Sequence, residues 1–263
     1  MRKACIAIVS GSIIGTLGGI IGLGGAEFRL PVLVGLLGMT PRAAVPMNLV
    51  VSLVTLTAAL VGRSASLTVA PVLSHWPEVL GLVAGGIVSA TWGAGVLSRL
   101  SDHRLSRILA GLLVAIGLLL VFEAFFSNQR AALVPAGFLP RFIVAIPLGL
   151  AIGAVAALLG VAGGELLIPT LIFLFGADMT AAGTASILVS LVLVPTALWR
   201  YARLDALPRR ADTSAIAVPM GAGSVIGAVA GGLVAGLVAP WIVKLFLGAV
   251  LIVSSIKVFA GRH

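Results

Sequence analysis

The sequence predicts an all-α polytopic membrane protein composed of two homologous halves, and three observations predict it. Of the 263 residues, 60% are hydrophobic and only 10% are charged, whereas a soluble domain carries roughly 25% charged residues because its surface meets water. The apolar residues fall in runs of bilayer length, such as 108–126 and 215–238. The third observation is that part of the first half recurs in the second.

Polar or turn-rich breaks divide the chain into ten apolar segments: 4–22, 27–38, 43–62, 77–98, 105–126, 141–160, 165–176, 181–199, 214–238 and 240–260. Segments 27–38 and 165–176 are short, about 18 Å each as helix, which is about half the hydrocarbon thickness. We therefore expect them to be half-helices that belong to broken helices or re-entrant hairpins.

The internal repeat appears when the chain is shifted by 138 residues. Residues 11–63 then align with 149–201 without a gap, and 18 of the 53 positions are identical. The matches include Gly22/Gly160, Gly25/Gly163, Glu27/Glu165, Pro31/Pro169 and Ser52/Ser190. Apolar composition alone does not readily align Gly, Glu and Pro pairs together. We predict two repeats within one membrane domain, about 1–130 and about 139–263, each with three spanning helices besides the half-helix unit.

The charges exclude other classes of protein. The net charge is +9, but the basic residues lie between apolar runs, as the positive-inside rule expects, and do not form a nucleic-acid-binding face. His75, His103 and His263 lie at segment ends, and no Walker-type phosphate loop is present. We expect no enzyme activity, cofactor, metal or nucleic acid. Glu78, Glu123 and Lys244 lie near span ends, where we expect them to reach the headgroups.

Each half carries a glycine cluster, then a glutamate, then a proline four residues later. The two stretches read GLGGAEFRLP at 22–31 and GVAGGELLIP at 160–169. With these turns and two halves, the whole chain resembles the TauE/SafE family of anion transporters, also called the toluene-sulfonate-uptake family. The family's Gly-x-Gly-Gly-Gly pattern is broken here by Ala26 and Ala162. The resemblance implies a bacterial inner-membrane exporter of sulfite, a sulfonate or another small organic anion.

The residues themselves point to the same place. Backbone without hydrogen bonds is tolerated in a membrane only where it is buried or lines a cavity, and glycine accepts the positive φ of such turns. A helix that starts there presents free N–H groups to an anion, and paired breaks mark transporter sites. The alternative is that these glycines only pack helices. The candidate binding residues of the turns are Gly24, Gly25, Ala26, Glu27, Gly163, Gly164 and Glu165.

Three charged residues accompany the turns, although a charge at mid-bilayer costs about 2.5–3.5 kcal/mol. Glu27 and Glu165 either couple transport to protons or cap their half-helices. Arg29 either holds substrate, pairs with an acid elsewhere or reaches an interface.

Small polar residues follow the turns on the next long helices: Asn48 and Ser52, then Ser186 and Ser190. Each pair shares a helical face. We expect these side chains to complete the hydrogen bonds of an oxyanion, or to serve as polar glue between helices.

Two topologies fit the sequence. Spanning broken helices give eight spans and parallel repeats, whereas hairpins give six spans and inverted repeats. The hairpin topology places 12 basic residues inside and three outside, whereas the eight-span topology places 11 inside and four outside. The positive-inside rule therefore favours the hairpin topology. Both topologies place the termini in the cytoplasm.

We therefore expect a secondary transporter that exports a small oxyanion, bound at the midplane between the two half-helix N-termini. A passive anion channel of the same architecture is the alternative, and an intramembrane enzyme or assembly factor is a third. Besides the anion and the lipid bilayer, the sequence leaves open protons as the coupling ion and a homodimer.

Overall fold

The helices follow the apolar segments of the sequence. The computed structural model describes residues 2–21, 25–64, 73–125, 132–234 and 240–260, and no strand occurs within those ranges. The helices are α1 (Arg2–Ile21), α2 (Ala26–Pro31), α3 (Pro41–Ser64), α4 (Trp76–Arg99), α5 (Asp102–Phe125), α6 (Phe138–Leu159), α7 (Gly164–Phe175), α8 (Met179–Arg203), α9 (Val218–Val234) and α10 (Pro240–Ser255). Short π-helical segments extend α2 over Val32–Leu36 and α10 over Ile256–Ala260, and a third, Thr213–Ala217, leads into α9.

Six of the described helices are long and apolar enough to cross a membrane. They are Pro41–Val61, Asp102–Phe125, Phe138–Leu159, Met179–Arg203, Arg210–Gly231 and Trp241–Val258. Large apolar side chains on the outside, such as Trp92 and Leu233, are 78% and 82% exposed, as a surface that meets lipid requires. The predicted all-α polytopic membrane fold is confirmed.

Close helix pairs join the two halves. Along α1, Gly11, Gly15 and Gly19 lie in turn against Met220, Ser224 and Ala228 of α9; along α4, Gly81, Gly85 and Gly93 lie against Phe142, Ile146 and Ala154 of α6. In each pair the residue numbers of the contacting positions increase together along the two helices, so the two helices run in the same direction. The first helix of each half thus packs against a long helix of the other half.

The helix α6, its turn and α7 form a hairpin that returns to the face of the molecule where α6 begins. The Val134 backbone N–H, just before α6, donates to the Leu174 carbonyl at the end of α7 over 2.9 Å. Nearby, Gly176 lies against Ala132. We call this side of the molecule face A.

The opposite side, face B, holds the start of α3 and the end of α8. Gly160, at the end of α6, lies against the Val45 carbonyl of α3, and the Tyr201 hydroxyl of α8 donates to the Ala157 carbonyl over 3.0 Å. Since α8 begins at face A after α7, α3 and α8 run in opposite directions. The parallel eight-span alternative would put the start of α3 and the end of α8 on opposite faces, which these contacts do not allow.

Candidate functional site

The candidate site lies where the two Gly-rich turns meet, halfway along the long helices. Asn48 and Ser52 are the eighth and twelfth residues of the 24-residue α3. Ser186 and Ser190 are the eighth and twelfth residues of the 25-residue α8. All four side chains are at least nine-tenths buried. The site is therefore at equal depth along two antiparallel helices.

Left-handed glycines start both half-helices. Gly25 has φ 64° and ψ 21°, and Gly163 has φ 81° and ψ 4°. This confirms the conformation expected of the turns, which residues with a Cβ rarely adopt. Gly25 lies beside Ile14 of α1, and Gly163 beside Ile152 of α6, so each turn folds back along the helix that precedes it. Gly24 lies outside the described residues.

Two polar side chains hold the backbone of the turns. Asn48 donates from Nδ2 to the Ala26 carbonyl over 2.8 Å, and Ser190 donates from Oγ to the Ala162 carbonyl over 2.6 Å. The Ala162 carbonyl belongs to the second turn and the Ala26 carbonyl to the first residue of α2, so each bond ties the start of a half-helix to the following long helix. The Asn48 Oδ1 atom makes no hydrogen bond. Both residues thus connect helix and turn here, as the polar-glue interpretation expects.

Ser186 lies beside the second turn without bonding to it. Its hydroxyl donates to the Gly183 carbonyl of its own helix over 3.1 Å. The same oxygen is 3.9 Å from where a Cβ would stand on Gly164. The hydroxyl therefore borders the start of α7 and can change partner by rotating about χ1.

Arg29 lies wholly inside the protein, with no exposed surface. Its Nη2 donates to the Ser52 hydroxyl over 3.1 Å, while Nε and Nη1 have no hydrogen-bond partner. The guanidinium acts electrostatically on Glu27 and Glu165, yet none of the contact ion pairs among the described residues includes it. Burial excludes the interpretation in which Arg29 reaches an interface. The equivalent residue of the second half is Leu167.

The two glutamates come together from opposite halves. Glu27 is 0% exposed and Glu165 is 2% exposed, and their carboxyl groups interact with each other. Both oxygens of Glu27, and Oε2 of Glu165, lack a partner of conventional hydrogen-bond geometry.

This arrangement suits the recognition of a compact, charged molecule. One guanidinium with free N–H groups, two carboxyl groups and two half-helix starts converge at a site that is closed to solvent. The structure thus brings together the described members of the predicted set.

Comparison with known proteins decides the family. A family model described as "Sulfite exporter TauE/SafE" matches residues 7–262. The chain belongs to the TauE/SafE family. It is also 26% identical over 125 residues to "Probable membrane transporter protein YunE" of Bacillus subtilis (strain 168), a match that covers 48% of this chain and 44% of that protein. No solved structure matches the chain.

The expectation that charges near span ends reach the headgroups was wrong for three residues. Glu78 is fully buried and accepts from Arg141 Nη1 over 2.6 Å, and Glu123 pairs with Lys244 Nζ at 3.1 Å, with both side chains mostly buried. These pairs join α4 to α6 and α5 to α10. These pairs could not be predicted from the sequence, because it does not show which helix faces meet.

Proposed function

We propose that the chain is a secondary transporter that exports a small oxyanion, such as sulfite or an organosulfonate, bound between the two Gly-rich turns. The observation that carries the proposal is Arg29, a fully buried guanidinium with Nε and Nη1 unpartnered. A buried charge without its hydrogen bonds is strongly unfavourable. A planar guanidinium matches the geometry of an oxyanion, so a bound sulfite or sulfonate would supply the missing acceptors.

The half-helices add the second part of the anion site. The N-cap residues of α2 and α7, Gly25 and Gly163, have no side chain to cap the first N–H groups. These groups carry the positive end of the helix dipole. An anion beside Arg29 would be stabilised by the guanidinium and by the half-helix N–H groups. The Ser186 hydroxyl could donate a further hydrogen bond to it.

The architecture supports alternating access. The hairpin of α6 and α7 reaches the site from face A, α2 brings the turn of the other half, and the helix pairs α1–α9 and α4–α6 tie each half to the other. Rocking of one half against the other would open the site to one face at a time. The closed site favours such a carrier over a passive channel, which needs a continuous path.

Charge orients the transporter. Face B holds the described helix ends and loops with most of the basic residues, among them Arg42, Arg104, Arg200 and Arg210, whereas face A holds Arg141. By the positive-inside rule, face B is the cytoplasmic face of a bacterial inner membrane, and the start of α1 and the end of α10 lie there. Export then runs from face B to face A.

The test is binding to the purified protein. A thermal-shift panel should include sulfite, methanesulfonate, sulfate and a neutral sulfone; ligand at 100 times its Kd stabilises a protein by about 2.7 kcal/mol. Arg29→Leu copies the residue at position 167 and removes a charged hydrogen-bond donor worth about 1.5–3 kcal/mol. Its affinity should fall about 10- to 150-fold.

The matched control is Lys257→Gln, which removes an exposed cation and should bind like the parent. If none of the anions stabilises the parent protein, or if Arg29→Leu binds them as tightly as the parent does, the proposed site is wrong.

A further inference from the structure

The binding of an anion does not by itself explain why two carboxyl groups lie at the site. Glu27 and Glu165 come from equivalent positions of the two halves, are 0% and 2% exposed, and interact with each other. Ionised carboxylates only accept hydrogen bonds, so two carboxyl groups bond to each other only when one of them carries a proton. Both oxygens of Glu27 and Oε2 of Glu165 are buried without a conventional partner, so a proton on either carboxyl group would supply the donor that the pair lacks.

The charges that face the pair are few. Among the described residues, the groups that act on the Glu27 carboxyl are Glu165 and Arg29. From α3 and α8 the site meets the neutral side chains of Ser52 and Ser190. The other described charges on the helices packed against α2 and α7 lie towards the helix ends, several in pairs of their own, as Lys244 with Glu123. One arginine therefore faces two acids.

The net charge of the site makes protonation of the carboxyl pair and binding of the anion depend on each other. With both acids ionised the site carries a net charge of −1, and an arriving anion meets repulsion. With one proton on the pair the site is neutral and Arg29 is available to the anion. Since each favours the binding of the other, the linkage is reciprocal.

We propose that the Glu27–Glu165 pair binds one proton together with the transported anion, so that proton and anion cross the membrane in the same direction. This rests on the proposed function. The proton comes from water on the loading face, adds to a carboxylate oxygen, and returns to water on the other face; no other bond changes. For a monovalent anion, the transport step moves no net charge.

The test uses the purified full-length protein and methanesulfonate, which stays a monoanion from pH 5 to pH 9. We expect the affinity to be constant at low pH and to fall about tenfold per pH unit at the alkaline end, as one linked proton requires. Calorimetry in two buffers of different ionisation enthalpy should show uptake of about one proton per anion in that range.

The variants Glu27→Gln and Glu165→Gln leave one carboxylate opposite Arg29. Each should bind methanesulfonate with an affinity that no longer depends on pH, whereas Asp212→Asn, which changes an exposed acid, should keep the slope of the parent. A structural role of the glutamates would lower the folded fraction and leave the pH slope unchanged.

A measurement on the parent protein keeps the test valid if the variants do not fold. In proteoliposomes, methanesulfonate flux should follow an imposed pH gradient and should not respond to a potassium diffusion potential. Binding by the parent without any pH slope or proton uptake overturns this inference alone. A failure to bind at every pH overturns the methanesulfonate site and this inference together.

Discussion

Replacing Gly163 by alanine should weaken anion binding while leaving most of the protein folded. Gly163 has φ 81°, and a residue with a Cβ in that region costs roughly 1–2 kcal/mol. The added Cβ would stand 3.3 Å from Ile152 Cγ2 and 3.5 Å from Ala156 Cβ, a tight contact that a small side-chain movement relieves. The cost in the free energy of unfolding is therefore about that of the backbone strain.

The effect on binding comes from how the strain relaxes. Rotation about φ and ψ at Gly163 turns the next peptide groups, whose N–H groups start α7 and face the proposed anion. Loss of one hydrogen bond to a charged partner costs about 1.5–3 kcal/mol, which corresponds to about a 10- to 150-fold weaker Kd.

The matched control is Gly223→Ala on α9. A Cβ there would overlap the carbonyl oxygen of Ile8 and lie 3.0 Å from the Ser12 backbone nitrogen, so α1 and α9 must separate. Overpacking of this kind costs typically 1–3 kcal/mol, but the overlap lies in the first part of α1, away from the turn. Gly223→Ala should lower the thermal stability and keep the affinity of the parent.

The assay is calorimetric binding of sulfite and methanesulfonate to purified variants, with concentrations corrected for the folded fraction from size-exclusion chromatography. If Gly163→Ala binds with the affinity of the parent protein, the turn serves only to pack helices and the anion site must lie elsewhere.

Two further predictions concern topology and packing. In a Cys5→Ser background, cysteine at Ala136 on face A should react with an impermeant external thiol reagent, and cysteine at Ser101 on face B should not; the reverse labelling would contradict the assigned orientation. Arg141→Gln removes the cation paired with the fully buried Glu78, whose other partner is His75 Nδ1 at 3.2 Å, and should cost up to about 3–5 kcal/mol of unfolding free energy; a loss below about 1 kcal/mol in detergent denaturation would show that the pair contributes little.

Much of the fold could be predicted because a membrane restricts the chain to few structures. The apolar runs predict the helices to within a few residues, since backbone groups in lipid must be satisfied within a helix. The glycines before both half-helices predict the left-handed turns, which are confirmed at Gly25 and Gly163. The duplication and its boundaries remain predictions.

The partners of the site residues could not be predicted from helix periodicity. Two residues on neighbouring helices meet only when both helices are rotated to face each other and both residues lie at the same depth in the membrane. The sequence shows neither the rotation nor the depth. Hence the sequence left two roles open for Asn48 and Ser190, an anion contact or polar glue between helices, and only the structure shows that they bind the carbonyl groups of Ala26 and Ala162. The meeting of Glu27 and Glu165 does have a signal in the sequence: they occupy equivalent positions of the predicted repeat, and equivalent residues of inverted repeats would meet where they lie close to the symmetry axis.

The predicted repeat also shows why the one residue that breaks it matters. The repeat supplies the glutamate twice, and two ionised glutamates would give the closed site a charge of −2, which is very costly within a membrane. Arg29 has Leu167 as its counterpart, so the arginine occurs once and compensates one of the two charges. If a proton compensates the other, the site that receives the anion is neutral. A second arginine in place of Leu167 would also make the site neutral, but then no proton would be needed. Leu167→Arg should therefore bind methanesulfonate without the alkaline loss of affinity, whereas a slope like that of the parent would show that the charge count at this site does not set its proton dependence.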